Sequence, residues 1–193
     1  MKTRFTVFLA MALLASTSFA QNSSTAKMNV DDSISSKGFR ISLVRPFLEA
    51  ELNATYKDES LSETKKVEET TGLSLGYASL PVQDLGWTSN ATYLNIGTDG
   101  VYNGVARIDG NLAYAFNSIV NLKGGINVSK FVTGEFSENM KAGIGFQGGL
   151  GVQLTRNFGL DLGYTQMNQS ASSDGVNVGV RMAGIEIGLN GTF

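Results

Sequence analysis

Cysteine and histidine are both absent from this 193-residue chain. Without cysteine, the chain cannot form a disulfide framework, a thiolate metal site or a lipid-modified amino-terminal cysteine. Histidine is the side chain most often used as a general acid or base, so its absence removes the commonest route to proton-transfer catalysis. A carboxylate pair such as Glu49 and Glu51 remains, but such pairs are more often structural than catalytic. We therefore expect no enzyme, no metal site and no cofactor.

Long apolar runs are also missing beyond the amino terminus. Lys2 and Arg4 precede the apolar run 7–15, and the small residues Ser18 and Ala20 follow it, a pattern that predicts a secretory signal peptide over residues 1–20. No later segment reaches the roughly twenty apolar residues that a membrane helix needs. If the protein lies in a membrane, β-strands must cross it.

Positive charge and proline are scarce. The 15 Lys and Arg residues include Lys2 and Arg4, so 13 remain after the signal against 17 Asp and Glu. This acidic balance argues against a nucleic-acid partner. The chain has 23 glycines and only two prolines, which suits tilted, closely spaced strands better than a disordered chain.

The last ten residues alternate with a period of two. Ile185, Ile187, Leu189 and Phe193 share one parity, and polar or small residues occupy the other. The pattern predicts a strand with one apolar face. It resembles the final strand of bacterial outer-membrane barrels, which usually ends on Phe, and the resemblance implies that these four residues act as an assembly signal.

Alternation of the same kind predicts eight strands. They are expected at 39–56, 70–80, 85–96, 105–116, 119–131, 140–154, 158–167 and 176–193. Short connections at 81–84, 117–118 and 155–157 alternate with longer ones at 57–69, 97–104, 132–139 and 168–175. Outer-membrane barrels show this asymmetry between tight periplasmic turns and longer external loops, and they carry aromatic residues at the rims. The aromatic residues expected at the periplasmic rim are Phe39, Trp87, Phe116, Phe158 and Phe193.

The fold class predicted is all-β, an eight-stranded antiparallel up-and-down transmembrane β-barrel over residues 38–193. A flexible periplasmic amino-terminal extension is expected over 21–37. Apolar parity changes in two places, and we expect a β-bulge at Pro46 and another near 182–184 to accommodate the changes. The alternative at the first site is that the strand begins only at Phe47.

The run 143–164 and the ending at Phe193 resemble the penultimate hairpin and carboxyl terminus of OmpA/OmpX-like outer-membrane barrels. The resemblance covers residues 38–193 and implies localisation in the outer membrane of a Gram-negative bacterium. Members of this group serve as structural proteins, adhesins and immune-evasion factors. The few barrels of this size that are enzymes rely on histidine, which this chain lacks.

Gly143, Gly145 and Gly148 match the spacing of a dinucleotide-binding motif. That motif needs a strand that ends at the first glycine and a helix that begins at the last. Alternation runs unbroken from Met140 to Leu154 instead. We interpret the motif as glycines that make room inside a narrow barrel.

The residues that alternation assigns to the inner faces of the strands include several charged side chains, which would lie in the predicted lumen. Acidic residues lie on the first, seventh and eighth strands, which adjoin once the barrel closes, and basic residues lie on the fourth to sixth. The lumen residues are Glu49, Glu51, Arg107, Asp109, Lys123, Lys141, Asp161 and Glu186. We predict salt bridges that plug the interior, with Arg107 to Glu186 or Glu49 as the first choice. The alternative is that the charges line a narrow water-filled passage.

The sequence therefore predicts an integral outer-membrane protein with a structural or surface-interaction role through its external loops. The alternative is a small porin-like channel for ions or small solutes. The charged loop 57–69 is either a solvated surface or a contact site for host surface molecules. Other expected partners are outer-membrane lipids and lipopolysaccharide and, during assembly, the barrel-insertion machinery and periplasmic chaperones. A monomer is expected.

Overall fold

The computed structural model describes residues 36–56, 59–98, 100–134, 136–155, 157–173 and 176–193. The predicted signal peptide and the predicted extension up to residue 35 lie outside this part of the chain. Within the described residues, no helix is long and apolar enough to cross a membrane. These residues form nine strands: β1 Ser36–Tyr56, β2 Glu59–Lys66, β3 Glu69–Leu80, β4 Leu85–Thr98, β5 Val101–Ala115, β6 Val120–Thr133, β7 Gly143–Gln153, β8 Phe158–Ser173 and β9 Val176–Thr192.

The strands close into a ring. From β3 to β9 each strand pairs antiparallel with the next, and β9 pairs with β1 from Arg40 opposite Thr192 to Tyr56 opposite Val176. β3 pairs with residues 36–44 of β1, and β2 pairs with residues 49–56 on the same side. Because β2 and β3 share one position in the ring, the predicted eight-stranded antiparallel up-and-down barrel is confirmed.

The two ends of the barrel differ. Three short turns, 81–84, 116–119 and 154–157, lie at one end, which we call the short-turn end. The other end, the hairpin end, carries the β1–β2, β4–β5, β6–β7 and β8–β9 connections. Part of the length predicted there as loop is strand: residues 59–66 of the predicted loop 57–69 form β2, and β8 continues to Ser173, whereas β9 begins at Val176 as predicted. β2 pairs with β1 through its backbone although every residue of β2 is exposed, so it has no apolar alternation that sequence reasoning could detect.

The predicted bulges in β1 and β9 are wrong. The two strands pair without a register shift, so neither Pro46 nor residues 182–184 form a bulge, and β1 begins at Ser36 rather than at Phe47. Even-numbered side chains of both strands therefore face the interior along their whole length. Leu48 and Met182 point inward because the interior near the hairpin end is itself apolar. A register shift does occur in β5, between Gly104 and Val105.

Large apolar side chains cover the outer face of the ring. Every strand except β2 contributes to this outer belt, which includes Ile41, Leu43, Leu73, Leu75, Tyr93, Ile108, Leu112, Leu122, Ile126, Ile144, Phe146, Leu160, Leu162, Ile185, Ile187 and Leu189. Aromatic rings cluster at the short-turn end, where Tyr77 lies 5.7 Å from Phe39 and 5.6 Å from Trp87 between ring centroids.

Two glycines allow a test of how closely neighbouring strands approach. A Cβ atom on Gly145 would lie 1.9 Å from the backbone oxygen of Gln166, whereas a Cβ on Gly110 would meet nothing within 4 Å. We expect Gly145→Ala to lower the free energy of unfolding by about 1–3 kcal/mol, because the strands must move apart. Urea unfolding followed by the fluorescence of Trp87, the single tryptophan, measures this. Gly110→Ala is the matched control, and an equal loss in both variants would contradict the steric explanation.

Candidate functional site

Five of the predicted lumen residues face the interior and meet in two clusters. Arg107 and Asp109 are buried on β5, and Glu186 reaches them from β9 across the barrel. Lys123 of β6 and Asp161 of β8 meet nearer the short-turn end of the barrel. Alternation places these side chains on the inner face because each neighbouring residue in the strand points to the outer belt.

Arg107 lies at the centre of the first cluster. Its guanidinium donates two hydrogen bonds to the carboxylate of Glu186, at 2.7 Å and 3.0 Å, in the bidentate geometry that suits this pair. Nη1 also lies 3.3 Å from the Thr165 hydroxyl, and Nε lies 3.5 Å from a carboxylate oxygen of Asp109. The Arg107 side chain is only 3% exposed, so its charge, removed from water, depends on contact with these carboxylates.

Asp161 forms the second cluster with two cations. Lys123 Nζ lies 2.8 Å from its carboxylate, and Arg40 donates a hydrogen bond to the same oxygen. Arg40 was not among the predicted lumen residues. The sequence could have identified it as inward-facing, because it has the opposite parity to Phe39 and Ile41, which face outward. The two clusters together contain three cations and three carboxylates, so the charges of these six interior residues balance.

Three predicted lumen residues are elsewhere. Glu49 and Glu51 point to the outer face of β1, because the strand lacks the bulge that would have turned them inward. Glu51 instead contacts Arg181 at 3.8 Å on the outer surface. Lys141 is exposed and forms an isolated bridge to Ser170 near the hairpin end, since β7 begins only at Gly143. None of the three contributes to the interior clusters.

Amide side chains fill the space beside the clusters. Asp109 accepts hydrogen bonds from Asn90 at 2.7 Å and Asn111 at 3.1 Å, and Gln147 donates to Asn111 at 2.9 Å. A cavity of about 50 Å³ lies between the two charged clusters, and another of about 10 Å³ lies nearer the short-turn end beside Arg40. Spaces of this size hold isolated water molecules rather than a continuous column.

Apolar side chains seal the interior on both sides of this polar layer. Towards the hairpin end, a buried cluster consists of Val44, Leu48, Leu94, Ile96, Val105, Phe131, Met140, Met167, Val180 and Met182. Towards the short-turn end, Ala78, Leu80 and Ala113 form a smaller cluster. Leu94, Val105 and Met167 have no measurable exposure, so side chains occlude the path along the barrel axis at this level. Sequence reasoning missed this apolar layer.

Polar contacts also link strands at the hairpin end. Above the outer belt, Tyr102 of β5 donates a hydrogen bond of 2.9 Å to the carboxylate of Glu69 in β3. That hydrogen bond and the negative charge of Glu69 raise the pKa of Tyr102. Among the described residues, no group of His, Cys, Asp and Glu side chains could hold a metal ion.

The geometry defines a small closed barrel with a packed interior. No protein-family model and no curated protein sequence matches the chain. Similar solved structures include Neisserial surface protein A, which is 18% identical over 81% of this chain and 97% of its own, with a TM-score of 0.43. The outer membrane protein OprG from Pseudomonas aeruginosa is 14% identical over 82% and 99% with a TM-score of 0.47. The attachment invasion locus protein Ail of Yersinia pestis is 18% identical over 78% and 99%, with a TM-score of 0.37. These similarities transfer no role to this chain.

Proposed function

We propose that this protein is an integral barrel of the outer membrane whose interior is closed and whose hairpin end acts at the cell surface. The observation that supports the proposal best is the combination of an apolar outer face with balanced, contacting charges inside. A soluble barrel shows the reverse arrangement, with its apolar residues in the core. The proposal assigns no catalytic activity to the chain.

The outer belt supports a place in a membrane. Monomeric soluble proteins rarely expose a contiguous apolar patch larger than a few hundred Å², whereas this belt surrounds the whole ring. On β5 it extends from Ala106 to Tyr114, within the roughly 9–11 residues that a tilted membrane strand needs. Apart from residues 45–48 on one side of β1, the ring pairs the backbone groups of its strands internally, which the hydrocarbon layer demands. The short-turn end then faces the periplasm, with its aromatic side chains at the interface.

The packed interior favours a closed barrel over the channel alternative. A channel would require the salt bridges of Arg107 and Asp161 to open, and the apolar layer above them to part. Both changes are costly, because an unpaired buried ion costs several kcal/mol and a tightly packed core resists rearrangement.

Four strands project together beyond the outer belt at the hairpin end. β8, β9, β1 and β2 remain paired up to Ser173, Val176, Tyr56 and Glu59, so β1 extends about 30 Å along its axis beyond Phe47. Its outer face is polar in this part, with Glu51 and Asn53 among its residues. We propose that this projecting sheet provides the surface for external contacts with lipopolysaccharide or with host surface molecules.

Closure of the ring supports the proposed role of the terminal residue in assembly. Phe193 and Phe39 exchange two backbone hydrogen bonds, of 3.0 Å and 2.8 Å, at the short-turn end. Ile185, Ile187 and Leu189 line the outer face of the same strand. We expect deletion of Phe193 to reduce the amount of membrane-inserted protein several-fold, because it removes both hydrogen bonds and the rim aromatic group.

The assembly prediction is checked by membrane fractionation and by the different gel mobility of boiled and unboiled barrel. Phe158→Ala removes a rim aromatic group beside β9 without touching the closing pair, so it serves as the control. Equal insertion of the wild type and the deletion variant would refute the assembly role. Recovery of the wild type in the soluble periplasm would refute the membrane location itself.

A further inference from the structure

The barrel wall is interrupted on one side of β1. Residues 36–44 of β1 pair with β3 and residues 49–56 pair with β2, so residues 45–48 have no ladder partner on that side among the described strands. A single bond, from the Val67 amide to the Leu48 carbonyl at 3.0 Å, crosses the interruption. Residues 69–71 pair only with β4 at this level. Pro46, which lacks a backbone donor, occupies the unpaired stretch.

A groove of about 860 Å³ lies at this interruption. Its outer wall consists of belt side chains, including Phe47, Tyr164 and Ile185, and the small side chain of Ala183 leaves room between them. Its inner end reaches Leu48, which belongs to the apolar layer inside the barrel. The volume falls within the range of small-molecule binding sites and far exceeds that of the two interior cavities.

The groove also offers polar groups of three kinds. The Thr70 side chain lines its inner end, is 5% exposed, and carries a hydroxyl with no hydrogen-bond partner among the described residues. Three cations and three carboxylates lie around the groove: Arg45, Lys66, Arg181, Glu49, Glu51 and Glu68. The lining therefore has no net charge, but it provides both signs within one site.

We propose that this groove binds a zwitterionic glycerophospholipid, and this rests on the proposed location in a membrane. One acyl chain lies along Phe47, Tyr164 and Ile185 at the level of the outer belt. The Thr70 hydroxyl donates to the ester carbonyl of that chain, which satisfies a buried polar group that otherwise costs free energy. The headgroup phosphate contacts the cations and its ammonium group contacts the carboxylates, so a lipid of one charge sign fits this rim less well.

Native mass spectrometry of the refolded full chain in detergent tests the proposal. The protein is incubated with phosphatidylethanolamine, phosphatidylglycerol or diacylglycerol that carry the same acyl chains. We expect phosphatidylethanolamine to be retained at least about tenfold more than either of the others, the factor that one additional hydrogen bond to a charged group provides. Equal retention of the three lipids, or a preference for phosphatidylglycerol, would overturn the assignment.

Matched variants locate the site. Ala183→Trp fills the groove and should reduce retention of phosphatidylethanolamine to the level of diacylglycerol, while Ala91→Trp, also on an outer face, should leave it unchanged. Glu49→Gln should weaken phosphatidylethanolamine binding and leave phosphatidylglycerol binding as it was. Thr70→Val should weaken it about fivefold without filling the groove. Unchanged retention in both Ala183→Trp and Thr70→Val would refute the site, and gel mobility of the unboiled protein shows separately that each variant is a folded barrel.

Discussion

Arg107→Ala should lower the free energy of unfolding by about 3–5 kcal/mol, the cost of breaking a buried ion pair by removing one partner. The variant leaves the carboxylates of Glu186 and Asp109 inside the barrel without the guanidinium that contacts both. Alanine is also too short to fill the space of the arginine side chain, so water must enter or the interior must collapse. Urea unfolding in lipid vesicles, followed by Trp87 fluorescence, gives the free energy.

Arg181→Ala provides the matched control for this prediction. Arg181 is half-exposed and lies 3.8 Å from Glu51 on the outer surface, so its loss should cost no more than about 1 kcal/mol. The double variant Arg107→Ala/Glu186→Ala should recover part of the stability lost in Arg107→Ala, because one of the uncompensated carboxylates is gone. A loss in Arg107→Ala no larger than that in Arg181→Ala would show that the interior pair does not hold the barrel together.

Ile126→Lys should destabilise the inserted protein by about 2–4 kcal/mol, the cost of a lysine on the lipid face near the bilayer midplane. Ile126 is 64% exposed on the outer face of β6 and pairs with Gly110 and Phe146 in the middle of the belt. In water, the same substitution would replace an exposed apolar side chain by a charged one and cost almost nothing. The size of the effect therefore distinguishes a lipid-facing belt from a solvent-facing one.

Thr55→Lys is the control for the belt substitution. Thr55 lies on the outer face of β1 beyond the belt, in the projecting sheet, where a lysine contacts water or headgroups. The difference in unfolding free energy between the two lysine variants is measured in vesicles of fixed composition. A cost in Ile126→Lys as small as that in Thr55→Lys would contradict the assignment of the belt to the hydrocarbon layer.

Most of what could be predicted from the sequence came from the alternation of apolar and polar residues along each strand. Within the outer belt, the outer face is apolar and the narrow interior accepts polar groups, so alternation identified Arg107, Asp109, Lys123, Asp161 and Glu186 as inward residues. The same rule also placed Arg107 opposite Glu186 as a candidate pair. The sequence left Glu186 and Glu49 as alternative partners of Arg107, because it does not determine strand tilt and shear. Glu49 is excluded in the structure because β1 has no bulge and this residue faces outward.

Beyond the outer belt, towards the hairpin end, the rule that apolar residues face outward and polar residues face inward no longer holds. Leu48 and Val180 are apolar and face inward, since the interior changes from polar to apolar towards the hairpin end. Reading apolar as outward required a bulge in each strand, and this reversed the sides assigned to Glu49 and Glu51. β2 could not be predicted for a different reason. Backbone pairing with β1 holds it in place, and all of its residues are exposed, so its sequence shows no alternation of apolar and polar residues.

Planar-bilayer recording of the full-length barrel tests the sealed interior most directly. Insertion is established first by the gel mobility of unboiled protein recovered from the same preparation. The paired charges and the apolar layer predict no steady conductance for the wild type. A steady, high-conductance open state in the wild type would contradict the closed barrel.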